Sequence, residues 1–175
     1  MEKDLPLWLF GCFVVATAVG TVLHFLLDWT GLAIFAPISA VNESTWEHMK
    51  ILFFPMLFVA LVQSRFFINE YPGFWWIKLI GILVGVLSIP TLFYTINGVF
   101  GKTPDWLNIL FFFISAGLAY FIEWLLFRNR FSLGVSWLAV VIIVALTLLF
   151  VVFTYFPPSL PIFQDPRIEI GKITV

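Results

Sequence analysis

Five ionisable side chains that could bind a metal or transfer a proton lie close together in this sequence. They are two imidazoles and three carboxylates: His24, Asp28, Glu43, Glu47 and His48. Neutral imidazoles and carboxylates are ligands that Zn, Fe and Mn accept, so these residue types predict a divalent-metal site. The chain has no H-E-x-x-H, C-x-x-C or H-x-x-x-H pattern, so the prediction depends on residue types and not on a metal motif.

His24 and Asp28 are four residues apart and therefore share one face of a helix. Thr17, Gly20 and Thr21 extend this face with small or polar side chains, which favour a bundle interior over a lipid contact. Asp28 comes near the end of the predicted helix, where the helix dipole disfavours an anion, so it needs a cation, a proton or a donor. The alternative is that Asp28 reaches interfacial water and His24 bonds a neighbouring helix.

The second part of the cluster opens another predicted helix, in the segment N-E-S-T-W-E-H at 42–48. Ser44 and Glu47 fit the capping box S-x-x-E, and Glu43 also suits the positive end of a helix, so capping alone could explain both glutamates. Capping does not explain His48. A cationic imidazole is disfavoured at a helix start, so we expect His48 to be neutral and able to bind a metal or accept a proton.

The elements that must position these residues are membrane helices. The chain is 62% hydrophobic and only 11% charged, whereas soluble domains contain roughly 25% charged residues. Spanning the hydrocarbon layer takes about 20 apolar residues, and five runs are long enough: 7–27, 51–68, 74–100, 106–127 and 133–156. The sequence predicts an all-α, polytopic integral membrane bundle with five transmembrane helices at 1–156 and an extended, extramembrane tail at 157–175.

The distribution of basic residues predicts the orientation of these helices in a cell membrane. Leaving the tail aside, five basic residues fall on the side of the N-terminus and two on the other: Lys3, Arg65, Lys78, Arg128 and Arg130 against Lys50 and Lys102. The positive-inside rule then places the N-terminus in the cytoplasm and the C-terminus outside. The five-residue cluster and the tail would both lie at the outer face.

Three further features of the spans carry structural predictions. Gly81 and Gly85 have the small-xxx-small spacing that permits close helix contact. Glu123 is expected to form an interfacial ion pair with Arg128 or Arg130, while Lys78 is expected to snorkel. In Thr103-Pro104-Asp105 we predict a helix start with a threonine cap. The net charge of −1 and the lack of a basic patch exclude nucleic acid as a partner.

Two stretches resemble an uncharacterised family of small bacterial multi-span membrane proteins. The first is H-F-x-x-D-W at 24–29, followed by V-N-E-S-x-W-E-H-x-K at 41–50 and F-F-P-M at 53–56. The second is the closing P-P-x-x-P-x-F-x-D-P at 157–166. The resemblance implies one membrane domain with the tail and the cluster on the same side. It implies no chemistry, because no activity is assigned to the family.

Three functions remain open on the sequence alone. If the protein is an enzyme, metal-assisted hydrolysis of a lipid-like substrate fits best, with a metal-bound water as nucleophile and Glu47 and Asp28 as candidate catalytic residues. The same residues could instead relay protons in an ion-coupled transport component, which with five spans would need an oligomer. The third reading is a non-catalytic accessory or assembly subunit. The expected partners are the lipid bilayer, further copies of the chain or other membrane subunits.

Overall fold

The computed structural model describes residues 4–101 and 103–166, and in these residues it is an all-helical bundle without strands. Its five long helices are α1 Leu5–Thr30, α2 Thr45–Phe67, α3 Phe74–Phe100, α4 Asp105–Arg128 and α5 Ser136–Tyr155. Short 3-10 helices lie at Ala33–Phe35 and Pro161–Phe163. Each of the five long helices is long and apolar enough to cross a membrane. The predicted five-helix membrane bundle is therefore confirmed.

The helices differ in how much of their surface the bundle covers. In the most apolar 18-residue stretch of each helix, 61% of the residues of α2 are buried inside the protein, against 17% of those of α5. Helix α2 is therefore central and α5 peripheral. Helices α3 and α4 pack closely against each other. A Cβ atom added at Gly85 of α3 would lie 3.0 Å from the Cβ of Ala119 in α4. The small-residue spacing thus marks a close helix contact, as predicted.

The charged residues of α3 and α4 pair differently from the prediction. Lys78 Nζ lies 2.5 Å from Glu123 Oε2, and each side chain is only 1% exposed. Lys78 does not snorkel, and Glu123 does not pair with the arginines that follow it. Arg128 lies over the ring of Trp124, and Arg130 lies over the ring of another aromatic residue, Tyr71.

The reason for this pairing is the close approach of the two helices. A Cβ atom at Gly81 would overlap Glu123, so the missing side chain of the glycine makes room for the carboxylate. The rings of Phe74, Tyr120 and Phe127 surround the ammonium group at 5.4–5.7 Å. A charge held in such surroundings needs a partner inside the protein, since no water reaches it.

The starts of α2 and α4 compare differently with their predictions. Helix α2 begins at Thr45 with Ser44 as its N-cap, inside the segment 42–48 that was predicted to open it and before the apolar run at 51. Helix α4 begins at Asp105 with Pro104 as its N-cap residue, and Thr103 does not cap it. The Thr103 hydroxyl and amide instead donate to Asn97 Oδ1, at 3.1 and 2.9 Å, at the end of α3.

The linker between α1 and α2 folds back onto the bundle. Helix α1 ends at Thr30 and is capped by Gly31, whose φ of +64° is readily adopted by glycine. The Ser39 hydroxyl donates to the carbonyl of Leu23 and accepts from the amide of Leu27, which ties the linker to the last turns of α1. These bonds bring the start of α2 beside the end of α1, where His24 lies.

The tail also folds back, where the sequence suggested an extended chain. The ring of Phe163 packs against Trp46 of α2 and Phe153 of α5, with centroids 4.7 and 5.5 Å apart. The tail beyond 166 lies outside the described residues, as do Lys3 and Lys102 of the topology argument.

Candidate metal centre

Three side chains meet where the end of α1 adjoins the start of α2. His24 comes from α1, His48 from the first turns of α2, and Glu43 from the linker just before α2. Glu43 Oε2 lies 3.5 Å from His24 Nε2 and 3.6 Å from His48 Nε2. One ligand atom from each residue falls within 4.8 Å of the other two. The carboxylate thus lies between two imidazoles whose ring centroids are 5.4 Å apart.

These distances are close to those of a tetrahedral metal site. Ligand atoms about 2.1 Å from a zinc ion in such a site lie about 3.4 Å from one another. The two imidazole–carboxylate distances of 3.5 and 3.6 Å are only slightly longer. Two histidines with one glutamate is also a ligand set that catalytic zinc sites use, with the fourth position left for water or substrate. The three side chains therefore offer a suitable ligand set for a divalent metal.

The orientation of His48 suits metal binding. Its Nδ1 lies 2.9 Å from the carbonyl oxygen of Ser44, one turn earlier in the chain. A proton on Nδ1 would satisfy this carbonyl and leave Nε2, the atom facing Glu43, with its lone pair. Such a bond from the second ring nitrogen to a backbone carbonyl is common for metal-binding histidines. His24 Nδ1 is buried without a hydrogen-bond partner among the described residues, so a water or ligand group would have to satisfy it.

Side-chain acceptors hold the backbone of the loop that carries Glu43. The amide of Val41 donates to Glu47 Oε2 at 3.0 Å, and that of Ser44 to Asn42 Oδ1 at 2.8 Å. The amide of Glu43 itself donates to Asp165 Oδ2 at 3.3 Å, an acceptor that belongs to the tail. Glu43 lies outside any helix, so these bonds and not a helical ladder fix its position.

Glu47, a predicted ligand and catalytic residue, lies outside the three-residue group. Its Oε2 is 2.5 Å from Nζ of Lys50, and both side chains are buried. Lys50 Nζ also donates to the Ala36 carbonyl and to the Thr154 hydroxyl, each at 2.9 Å. This pair therefore connects α2 to the linker and to α5. The predicted capping box forms only in part: Ser44 Oγ accepts from the Glu47 amide, but the Glu47 carboxylate bonds Val41 instead of Ser44.

Asp28, the other predicted catalytic residue, is also outside the group. It is exposed, one turn beyond His24 on α1. Of the three carboxylates predicted for this site, Glu43 is the one that lies within reach of both histidines. The physical reason is that Glu47 turns toward a buried cation, while Asp28 lies past the point where α1 meets α2.

A cavity of about 360 Å³ opens beside the three residues. All three line it, together with residues of α3 and α4 that are mostly apolar and aromatic: Ile89, Phe93, Ile109, Phe111, Phe112 and Phe113. Asp105 and Asn108 add polar groups on the wall formed by α4, and Pro166 of the tail lines it as well. A polar end next to an apolar wall suits an amphiphilic ligand, with its head group at the imidazoles.

Sequence reasoning missed Asp105 as a cavity residue and Asp165 as a partner of Glu43. Asp105 was recognised only as a helix-start residue, and no spacing relates it to His24. Asp165 follows Glu43 by 122 residues. The family resemblance implied that the tail and the cluster lie on the same side of the membrane. No sequence pattern indicated the contact between Asp165 and Glu43.

The chain belongs to a family of unknown function, DUF6512, whose model matches residues 2–172. The match covers nearly the whole chain, so the helices, the three-residue group and the described tail all lie within the family region. Neither the curated proteins nor the solved structures give a significant match. The class defined by fold and family is thus a membrane-type helix bundle of unassigned activity.

Proposed function

We propose that this protein is a multi-pass membrane metalloprotein that binds one divalent ion through His24, Glu43 and His48. The observation that carries the proposal is the convergence of three ligand atoms within 4.8 Å of one another, next to a cavity. Charge supports it, because with neutral imidazoles the described lining of the cavity carries the carboxylates Glu43 and Asp105 and no lysine or arginine. Such a site attracts a cation, and zinc, iron and manganese all accept these ligands.

The reaction class that best fits this site is hydrolysis of a lipid-like ester. When bound, the metal would supply an acidified water and polarise the ester. In this hydrolysis the oxygen of a water molecule bonds to the ester carbon or phosphorus while the bond to the leaving alcohol breaks. We assign the role of general base, which takes a proton from the water, to Asp105, because it lines the cavity whereas Asp28 and Glu47 do not. The proton then passes to the leaving alkoxide, so atoms and charge balance.

Metal analysis of purified protein tests the binding site. We expect about one Zn, Fe or Mn per chain, and loss of the metal in His24→Ala, Glu43→Gln or His48→Ala. Asp28→Asn is the matched control, since it removes an exposed carboxylate one turn from His24 and should leave the metal content unchanged. A wild-type protein without metal after reconstitution with each of the three ions would overturn the proposal.

Hydrolysis is tested with p-nitrophenyl esters of increasing acyl length in detergent. We expect the rate to depend on the metal and to rise with chain length, because the apolar wall would bind the chain. Asp105→Asn should keep the metal and lose turnover. Metal binding without ester or phosphoester hydrolysis would sink the enzymatic part. Proton-coupled flux in liposomes would then favour a transport component, and the absence of flux would favour an accessory subunit.

We also infer that the metal centre faces the exterior of the cell. The basis is the asymmetry of basic residues about the spans. Reporter fusions after Asn69 and after Asn129 should read cytoplasmic, and a fusion after Val175 should read exterior. An exterior signal at Asn129 would contradict this orientation without affecting the metal site.

A further inference from the structure

We propose that the tail segment 157–166 helps to form the metal centre and that Asp165 is the positioning residue for Glu43. The inference rests on the proposed metal site, since Glu43 is its central ligand. The tail would hold the backbone of Glu43 so that its carboxylate stays between the two imidazoles. It would also close one side of the cavity through Pro166, which lines it.

The first step of the argument is that the tail is anchored. Phe163 packs its ring on Trp46, which is 7% exposed and also lies 4.5 Å from the ring of Phe150. Phe153 contacts Phe163 edge-on from α5. Aromatic contacts of this kind stabilise the segment beyond what the burial of apolar area alone would give. The residue two positions before Asp165 is therefore attached to both α2 and α5.

The second step is that this anchor delivers an acceptor to one particular amide. In the loop that carries Glu43, the neighbouring amides of Val41 and Ser44 bond acceptors less than seven residues away. The amide of Glu43 instead bonds Asp165 Oδ2. The ligand residue is thus the one whose backbone depends on a distant part of the chain.

The third step concerns what this bond does for a metal. Glu43 is partly buried, with 28% of its side chain exposed, and it lies in a non-helical segment. Outer groups that orient metal ligands typically change metal affinity 10- to 100-fold when they are removed. The Asp165 carboxylate accepts from the backbone amide of Glu43, and through this bond it would position the ligand residue. Asparagine keeps an acceptor oxygen at the same place, so it should replace aspartate in this role.

Cobalt titration of the full chain in detergent tests the proposal, because cobalt replaces zinc and has a visible spectrum that reports ligand geometry. We expect Asp165→Ala to weaken cobalt binding about 10- to 100-fold and to change the spectrum. Asp165→Asn should stay within a few-fold of wild type. Gln164→Ala is the matched control from the same segment. Phe163→Leu, which keeps the aspartate at 165 but loosens the anchor that positions it, should shift the affinity in the same direction as Asp165→Ala.

A second measurement separates this proposal from the metal site itself. Hydrogen exchange at the Glu43 amide, followed in the absence of metal, should speed up in Asp165→Ala and not in Gln164→Ala. Wild-type affinity and spectrum in Asp165→Ala would overturn the positioning role while the metal site stands. If wild type binds no cobalt, the proposed function fails. In that case hydrogen exchange still tests the tail contact by itself. Unchanged exchange at the Glu43 amide in Asp165→Ala would overturn the contact, and faster exchange would support it.

Discussion

Two of the charged or titratable groups in the apolar bundle are built in opposite ways. Lys78 and Glu123 form a matched pair of one cation and one anion, each 1% exposed and enclosed by aromatic rings. His24, Glu43 and His48 have side chains 20–28% exposed and border a cavity. In the first group each charge is neutralised by the other. In the second group three ligand atoms lie close together beside the cavity.

This difference separates a structural pair from a candidate site. A buried lysine and glutamate at 2.5 Å leave no room for a third group between them, so their main effect is on which helix faces α3 and α4 present to each other. The imidazole–carboxylate distances of 3.5 and 3.6 Å are long for direct hydrogen bonds and suit an ion between the groups. Burial alone would select the Lys78–Glu123 pair, whose charges are less available to a ligand.

The largest expected effect is the loss of metal when either imidazole is removed. His24→Ala and His48→Ala should each lower the bound metal from about one per chain to near zero. The double variant should bind metal only slightly more weakly than either single variant, because the effects of substitutions within one site are not additive. Metal content and cobalt affinity measure this. Fully additive losses would indicate two separate polar contacts and would break the comparison.

The next largest effect concerns the stability of the enclosed pair. Lys78→Met or Glu123→Leu alone should lower the free energy of unfolding by about 3–5 kcal/mol, because one buried charge remains without its partner. The double variant Lys78→Met/Glu123→Leu should recover most of this loss, since no charge remains. Unfolding in mixed detergents gives the free energies, and metal content is the control. A double variant that is stable but without metal would show that the two groups are coupled.

The smallest effect is expected at the start of α2. Ser44→Ala should cost about 0.5–2 kcal/mol of stability through the lost cap, without changing the metal content of the folded molecules. Glu47→Gln should retain the metal but lower stability more than Ser44→Ala does, because it leaves the buried Lys50 ammonium without its charged partner. Unfolding and metal assays on the folded fraction test both variants. A folded Glu47→Gln protein without metal would return Glu47 to the site.

Much of the fold could be predicted from the sequence, and less of the site. The five apolar runs predicted five helices, because hydrocarbon length and helical rise leave few alternatives. The presence of His24, Glu43 and His48 in one cluster was predictable from their positions at adjoining helix ends. The roles of Glu47 and Asp28 were not. The direction of a side chain changes by about 100° with each helical residue, so neighbours in sequence contact different partners.

What the sequence by itself determined is the class of structure and the residues that could do chemistry: a five-helix bundle with two imidazoles at one end of two adjoining spans. Only the tertiary structure decided which charge meets which. Glu123 bonds Lys78 because α3 and α4 approach each other at Gly81. Glu43 reaches both imidazoles because the linker folds back onto α1, and Asp165 reaches Glu43 because Phe163 packs on Trp46. These pairings depend on contacts between distant segments, which local sequence patterns do not encode.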